Sequence, residues 1–456
     1  MKSNRNQILL ILGCTLLAYV LIAFVLFADM PLRSDAAGYS KQAIAIAATF
    51  PGNEAYYWPP AMPYILAAAY NLFGESLAVA RGVNILLCVL MVYAAILLTT
   101  EATNDPQKGR IAGWMAALYP ASFLMAGQTY SQHLTAAGLM LTGYWLLIAY
   151  RRGNVGWYLL AGIALGGTAL ARSSAMSLLP ALGILAGVAY WRLRRNPEQA
   201  VVATRKSLIP GSLLFLVGTA LLVIPVMLHN VKHGAGWNIS TKDESNVLVG
   251  NCKYTHHYKT NQLAVRDFSL MEPEVREYLI RMRDLPNARS AMMKEAVEYV
   301  IAHPGITAWR TLSRIRAFWG FDYMLARETQ NQYQLSNLQM LIPLSLEAGG
   351  YVLMMIGVLL GLFFARRLLS PPATTLLLVM AIGYQVPYML VYAAGTYHFP
   401  AVFLLLPISC VGWIWTLQQW RQRWPVIARR RWFWAAVALF VLVQIEYGYW
   451  AITMQQ

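Results

Sequence analysis

Runs of about twenty apolar residues recur along this chain, and few folds can accommodate them. The first extends from Gln7 to Ala28. A hydrocarbon core about 30 Å thick needs roughly twenty helical residues to cross it. The same length recurs at 77–98, 111–127, 133–150, 155–171, 174–191, 209–229, 343–364, 373–393, 399–417 and 432–451. The chain therefore reads as an all-α polytopic membrane protein with about eleven transmembrane helices. Composition agrees: 58% of residues are hydrophobic and 12% charged, against about a quarter charged in soluble domains.

A formal charge of +16 raises nucleic acid as a partner, but the basic residues sit where topology needs them. With the N-terminus in the cytoplasm, that side takes Lys2, Arg5, Lys108, Arg110, Arg151, Arg152, Arg192, Arg194, Arg195, Arg205 and Lys206. It also takes Arg366, Arg367, Arg421, Arg423 and Arg429 to Arg431, giving 18 of the 36 lysines and arginines. The short outer segments hold only Arg33, Lys41, Arg81 and Arg172, as the positive-inside rule requires. No basic stripe interleaved with aromatics forms a nucleic-acid footprint. The first run is too long for a signal-peptide core and reads as an uncleaved span.

Three parts follow: an N-terminal membrane module (1–229), a periplasmic insertion (230–342) and C-terminal membrane helices (343–456). The first outer loop (29–76) opens with DMPLRSDAAGYSK. It continues as an amphipathic stretch and then YYWPPAMPYILAAAYNLFG. Both stretches suit helices lying in the interface, with Pro59 and Pro60 fixing an extended turn between them. The insertion contains two helices. One carries Met293, Ala296, Val297, Val300 and Ile301 on an apolar face and ends at Pro304. The next puts Ile306, Trp309, Leu312 and Ile315 on one face, and Arg310 and Arg314 on another that suits an anionic lipid surface.

The chemistry concentrates at the outer face. No P-loop, H-E-x-x-H, G-x-S-x-G or dinucleotide fingerprint occurs. Few acids lie at mid-span, so an ion-coupled relay is poorly supported. Cys14, Cys88, Cys252 and Cys410 offer no disulfide framework, and Cys252 with His256 and His257 reads as a polar loop rather than a metal site. Asp35 is the leading candidate, a carboxylate on a membrane-tethered loop able to act as general base toward a hydroxyl. Arg172 lies at an outer turn between apolar spans and either snorkels to the surface or meets an anion. His398 beside Tyr397, and Arg314 with Arg316, are further cationic or polar groups on that side.

The order of RSDAAGYSKQA, PPAMPYILAAAYNLFG, ARGVNILL, GIALGGTALARSSAMSLLPAL, HNVKHGAGWNISTKDESNVLVGN and TYHFPAVFLLLP resembles the GT-C membrane glycosyltransferases. The likeness is to the dolichyl-phosphate-mannose–protein mannosyltransferase and aminoarabinose transferase group. It implies a GT-C-like bundle and transfer of a sugar from a polyprenyl-phosphate donor to an acceptor protein or glycolipid. It also implies a bacterial inner-membrane location with the site facing the periplasm. Asp35 would be the base, and Arg172, His398, Tyr397, Arg314 and Arg316 candidate donor-phosphate ligands. Arg81, Pro59 and Pro60 would position the loop. Departures from the family pattern are Ala36 where a second acid is common, Ser131-Gln132 in place of Thr-Glu, and Trp58 where a lysine often precedes the proline pair. Metal use, the sugar and the acceptor stay open. A flippase for lipid-linked glycans and a surface-glycan polymerase or ligase are the alternatives; the first requires polar residues through the span centres, and few are present.

Overall fold

A computed structural model describes residues 2–195, 202–265 and 268–453; the side chains of Lys2, Arg205 and Lys206 lie outside the described residues. Among the described residues every regular element is helical. Eight helices are long and apolar enough to cross a membrane, and a bent pair makes up to nine. This multi-span count is below eleven because three expected stretches are interrupted or short. The chain breaks between Pro106–Ala117 and Pro120–Leu124, where Pro120 bars continuation of the helix. Val155–Ala171 has 17 residues. Gly395–Leu404 and Leu406–Gln418 meet at 67°, next to Pro407, which has no N–H to donate.

Small residues set the closest helix packing. Gly162 and Gly166 face the helix Val202–Lys232, where an added Cβ would run into the backbone of Phe215 and Thr219. Thr219 Oγ1 donates to Gly162 O at 3.1 Å across the same seam. This is the small-xxx-small pattern by which membrane helices approach without a hydrophobic driving force.

The two ends of the bundle differ chemically. One gathers Asn4 with Arg110, Glu101 with Arg151 at 2.9 Å and Asp105 with Lys108 at 2.7 Å. The opposite end carries the first loop and the insertion. There Ser34–Ala48 and Ala61–Phe73 pack face to face, with Tyr39, Ala43 and Ile46 buried on one and Met62, Leu66 and Tyr70 on the other. Ser40 Oγ and Tyr70 OH join them at 2.8 Å. At 15 and 13 residues both are too short to cross a bilayer.

The insertion corrects one expectation. Ala288–Ala302 and Pro304–Phe318 form where the apolar period places them. Their polarity, however, is turned round. Val297, Ile301, Trp309 and Leu312 are exposed, whereas Arg310 and Arg314 are buried. Arg310 donates to the carbonyls of Cys252 and Thr255, and Arg314 to those of Gly250, Met389 and Leu390, so they satisfy backbone acceptors rather than a lipid headgroup. A further helix, Met324–Tyr333, returns to the first loop, where Tyr333 OH donates to Leu26 O at 3.0 Å and Arg33 pairs with Gln332.

Candidate active site

Asp35 lies in the first turn of Ser34–Ala48, where the helix N-terminus favours a negative charge. Gln128 fixes the approach to that turn: its Oε1 accepts from Arg33 N at 3.0 Å and its Nε2 donates to Pro31 O at 2.9 Å. Ser34 then adopts the left-handed conformation (φ 48°) that swings the chain into the helix. Below this turn, Arg81 is buried and donates to the carbonyls of Phe27 and Met30, both at 2.6 Å, and Ala28 at 3.0 Å. Those carbonyls belong to the turn that leaves the first helix, where Phe27 O also accepts from Met30 N at 3.1 Å. One turn on, Asn84 Nδ2 donates to Met125 O at 3.0 Å and Asn84 Oδ1 meets His133 Nδ1 at 3.0 Å. Arg81 thus ties the loop's root to the bundle, and Asn84 ties the same helix to Met125 and His133.

A cavity of about 380 Å³ opens beside Asp35. Tyr39, Trp58, Pro59, Arg172, Lys242, Asn246, Tyr388, Tyr392 and Tyr397 line it, with Ser173, Ser174, Ser177 and Ser240. One carboxylate therefore shares the cavity with two cations. Arg172 follows the last residue of Val155–Ala171. Its guanidinium lies 5.3 Å from the Tyr397 ring centroid and donates to Ser131 Oγ at 3.3 Å. Lys242 Nζ is 3.7 Å from Asp35 Oδ1 and 3.6 Å from the Trp58 ring centroid. Burial, followed by the Asp35 charge, pushes the Tyr39 phenol up to about 12. Burial also raises Tyr392, with Asp35 again adding to the rise. These phenols are neutral hydrogen-bond donors at any ordinary pH.

The predicted residues divide into two groups. Asp35, Arg172, Tyr397 and Pro59 converge on the cavity, and Pro60 sits at the N-cap of Ala61–Phe73. His398, Arg314 and Arg316 point elsewhere. His398 is buried, stacked on Tyr351 at 4.1 Å, with Nδ1 2.8 Å from Phe318 O. Arg314 donates to Gly250 O at 2.5 Å, Leu390 O and Asn251 Oδ1 at 3.1 Å and Met389 O at 3.2 Å. Arg316 pairs with Glu446 and lies 3.6 Å from the Tyr258 ring centroid.

Sequence reasoning missed Lys242 and the tyrosines 388 and 392. Lys242 precedes Asp243 and Glu244 in a turn-rich segment, so it looked like loop polarity. Among the described residues, no group of three or more His, Cys, Asp or Glu could hold a metal ion. Among the described residues the cavity lining holds one carboxylate beside two cations, a donor set that does not fit a divalent metal either.

Residues 58–225 match the family profile of dolichyl-phosphate-mannose-protein mannosyltransferases. That stretch includes Trp58, Pro59, Pro60, Arg81 and Arg172, and excludes Asp35, Lys242 and Tyr397. The chain is similar to the oligosaccharyltransferase AglB of Archaeoglobus fulgidus, solved with an inhibitory peptide and a dolichol-phosphate. Identity is 17% and the TM-score 0.54, over 98% of this chain and 55% of that one. The apo form of the Archaeoglobus enzyme gives 16%, 0.53, 98% and 55%. ArnT of Cupriavidus metallidurans bound to undecaprenyl phosphate gives 15% identity and a TM-score of 0.41, over 90% of this chain and 79% of that one. Comparison with curated proteins gives no match. The chain spans about 55% of the length of the oligosaccharyltransferase it matches, and shares with it the fold of the GT-C membrane glycosyltransferases.

Proposed function

We propose that this GT-C-fold chain transfers a sugar from a polyprenyl-phosphate donor to an acceptor hydroxyl, with Asp35 as general base. The observation that carries the reading is the convergence of Asp35, Arg172 and Lys242 on one cavity, at the end of the bundle that carries the first loop. A lipid-linked sugar phosphate needs cations for its leaving group and a carboxylate for its nucleophile, and this cavity offers both. The matched family and the oligosaccharyltransferase fold support the same class of donor.

The step balances as follows. The acceptor O–H proton passes to an Asp35 carboxylate oxygen as the acceptor oxygen bonds to the anomeric carbon. The bond from that carbon to the phosphate oxygen breaks, and its electron pair stays on the polyprenyl phosphate. Arg172 faces that growing charge, and charges fixed in advance stabilise a transition state most where water is scarce. Asp35 then releases its proton to solvent through the open side of the cavity, since its side chain is 38% exposed. The tyrosine hydroxyls and Asn246 line the space left for the sugar. The acceptor is a protein or a glycolipid. We place the chain in a bacterial inner membrane, and the distribution of basic residues supports a cytoplasmic N-terminus and a site on the opposite, periplasmic face.

Asp35→Asn tests this reading. Transfer from a polyprenyl-phosphate sugar should fall by about 10²–10⁴, the range for loss of a general base, with the protein still present in the membrane at normal abundance. Undiminished transfer would remove Asp35 from the role. Unchanged movement of a lipid-linked glycan across the membrane, with no transfer by the wild type, would favour a transporter.

A further inference from the structure

We infer that Lys242 is a donor-phosphate ligand that exchanges partners, leaving Asp35 for the polyprenyl phosphate when the donor enters. The inference rests on the donor class proposed above and adds a residue that the insertion, not the membrane module, supplies.

The backbone that carries Lys242 is locked to the first loop. Asn230 receives Tyr56 N on its Oδ1 at 2.9 Å and donates through Nδ2 to Asn238 O at 2.9 Å and Ile239 O at 3.1 Å. Thr241 N then donates to Tyr56 O at 2.9 Å. The platform beneath the ammonium is equally fixed. Trp58 N donates to Gln42 Oε1 at 2.9 Å, and Gln42 Nε2 donates back to Trp58 O at 3.2 Å. Gly38 leaves room for the indole, because a Cβ there would lie 2.5 Å from Trp58 Nε1. Two segments far apart in sequence are thus joined so that the Lys242 ammonium meets the Trp58 indole face and the Asp35 carboxylate.

The resting contact is loose enough to give way. At 3.7 Å, with 27% and 38% of the two side chains exposed, the Lys242–Asp35 pair is a solvent-screened ion pair of the weak kind. A phosphate monoester or diester offers an ammonium shorter, charge-assisted bonds. Lys242 is a compact charge on a flexible four-carbon stem, so its head can leave the Trp58 face and turn toward the phosphate while the backbone that carries it stays fixed. Departure of the ammonium leaves Asp35 free to accept a proton. Donor arrival and readiness of the base are then one event, and Arg172, stacked on Tyr397 and bonded to Ser131, stays fixed through it.

The test uses the full-length protein in detergent and measures binding of undecaprenyl phosphate and of undecaprenol, which has the same tail without the phosphate. Lys242→Met, which removes the charge and keeps an unbranched side chain, should weaken undecaprenyl phosphate binding by about tenfold or more, the cost of one charged hydrogen bond. Undecaprenol binding should not change. Adding Trp58→Lys to Lys242→Met puts an ammonium back beside Asp35 and should recover much of the loss, which a purely structural lysine would not allow. Asp35→Asn, which removes the competing partner, should bind undecaprenyl phosphate at least as tightly as wild type. Equal phosphate binding by Lys242→Met, an equal loss for undecaprenol, or weaker phosphate binding by Asp35→Asn would overturn the partner exchange. A wild-type protein that binds undecaprenol but gains nothing from the phosphate would instead overturn the donor reading itself, and this inference with it.

Discussion

Arg314→Ala separates a structural arginine from a ligand. The guanidinium makes four hydrogen bonds that join the Gly250–Asn251 turn of the insertion to the C-terminal end of Pro371–Leu390. Bonds to a charged group contribute about 1.5–3 kcal/mol each, so the set amounts to roughly 6–12 kcal/mol before costs. Burial, helped by the nearby Arg310 charge, lowers the Arg314 pKa from 12.5 to about 10. That shift is worth about 3 kcal/mol against the charged form. Arg314 still stays protonated at neutral pH. Allowing for non-additive bonds, truncation should cost about 3–5 kcal/mol, the range for breaking a buried charged network. The loss falls on the insertion, so deuterium uptake around Gly250 and Asn251 should rise by about 10²–10³ at ~1.4 kcal/mol per tenfold. The donor KM of whatever protein remains folded should change far less than in Arg172→Ala. Unchanged exchange together with a raised donor KM would refute the clamp and return Arg314 to the donor site.

Two further outcomes follow. Arg172→Ala should lower transfer by about 10²-fold or more, as for other groups that meet transition-state charge, and Arg172→Lys should recover part of it; wild-type kinetics in the alanine variant would contradict the placement. Burial raises the Asp322 pKa from 3.8 to about 6. The fold therefore disfavours the ionised carboxyl: no penalty acts below pH 4, and the full penalty is present above pH 6. Asp322→Asn should leave thermal stability unchanged near pH 4 and raise it progressively toward pH 7; a gain that ignores pH would show that ionisation is not the cause.

The sequence made the spans legible because twenty apolar residues carry their meaning without any tertiary context. Asp35 and Arg172 were legible as polar groups at span ends on the outer side, but their meeting was not, since 137 positions of chain separate them. His398 and Arg314 show the limit. Each sits at an outer position as a ligand would, yet the ring stack on Tyr351 and the carbonyls of residues 250, 389 and 390 claim them. Nothing in local sequence says which way such a side chain turns. Lys242 is the converse, a lysine in an acidic, turn-rich neighbourhood that gains its place only because Asn230 and Thr241 pin the segment to Tyr56.

The reversed helix Pro304–Phe318 has a consequence for handling the protein. Arg310 and Arg314 spend their charge on carbonyls inside, and Trp309 and Leu312 stand outside with Val297 and Ile301 of the preceding helix. Added salt has little access to Arg310 and Arg314, because screening acts on exposed charges. What the outer surface of the insertion does present is a greasy face that water cannot solvate well. Cut away from the bundle, residues 230–342 would lose the Met389 and Leu390 carbonyls, two of the four acceptors of Arg314, and keep the surface that drives aggregation. The insertion is extramembrane by sequence, but its stability depends on the membrane body to which it is bolted.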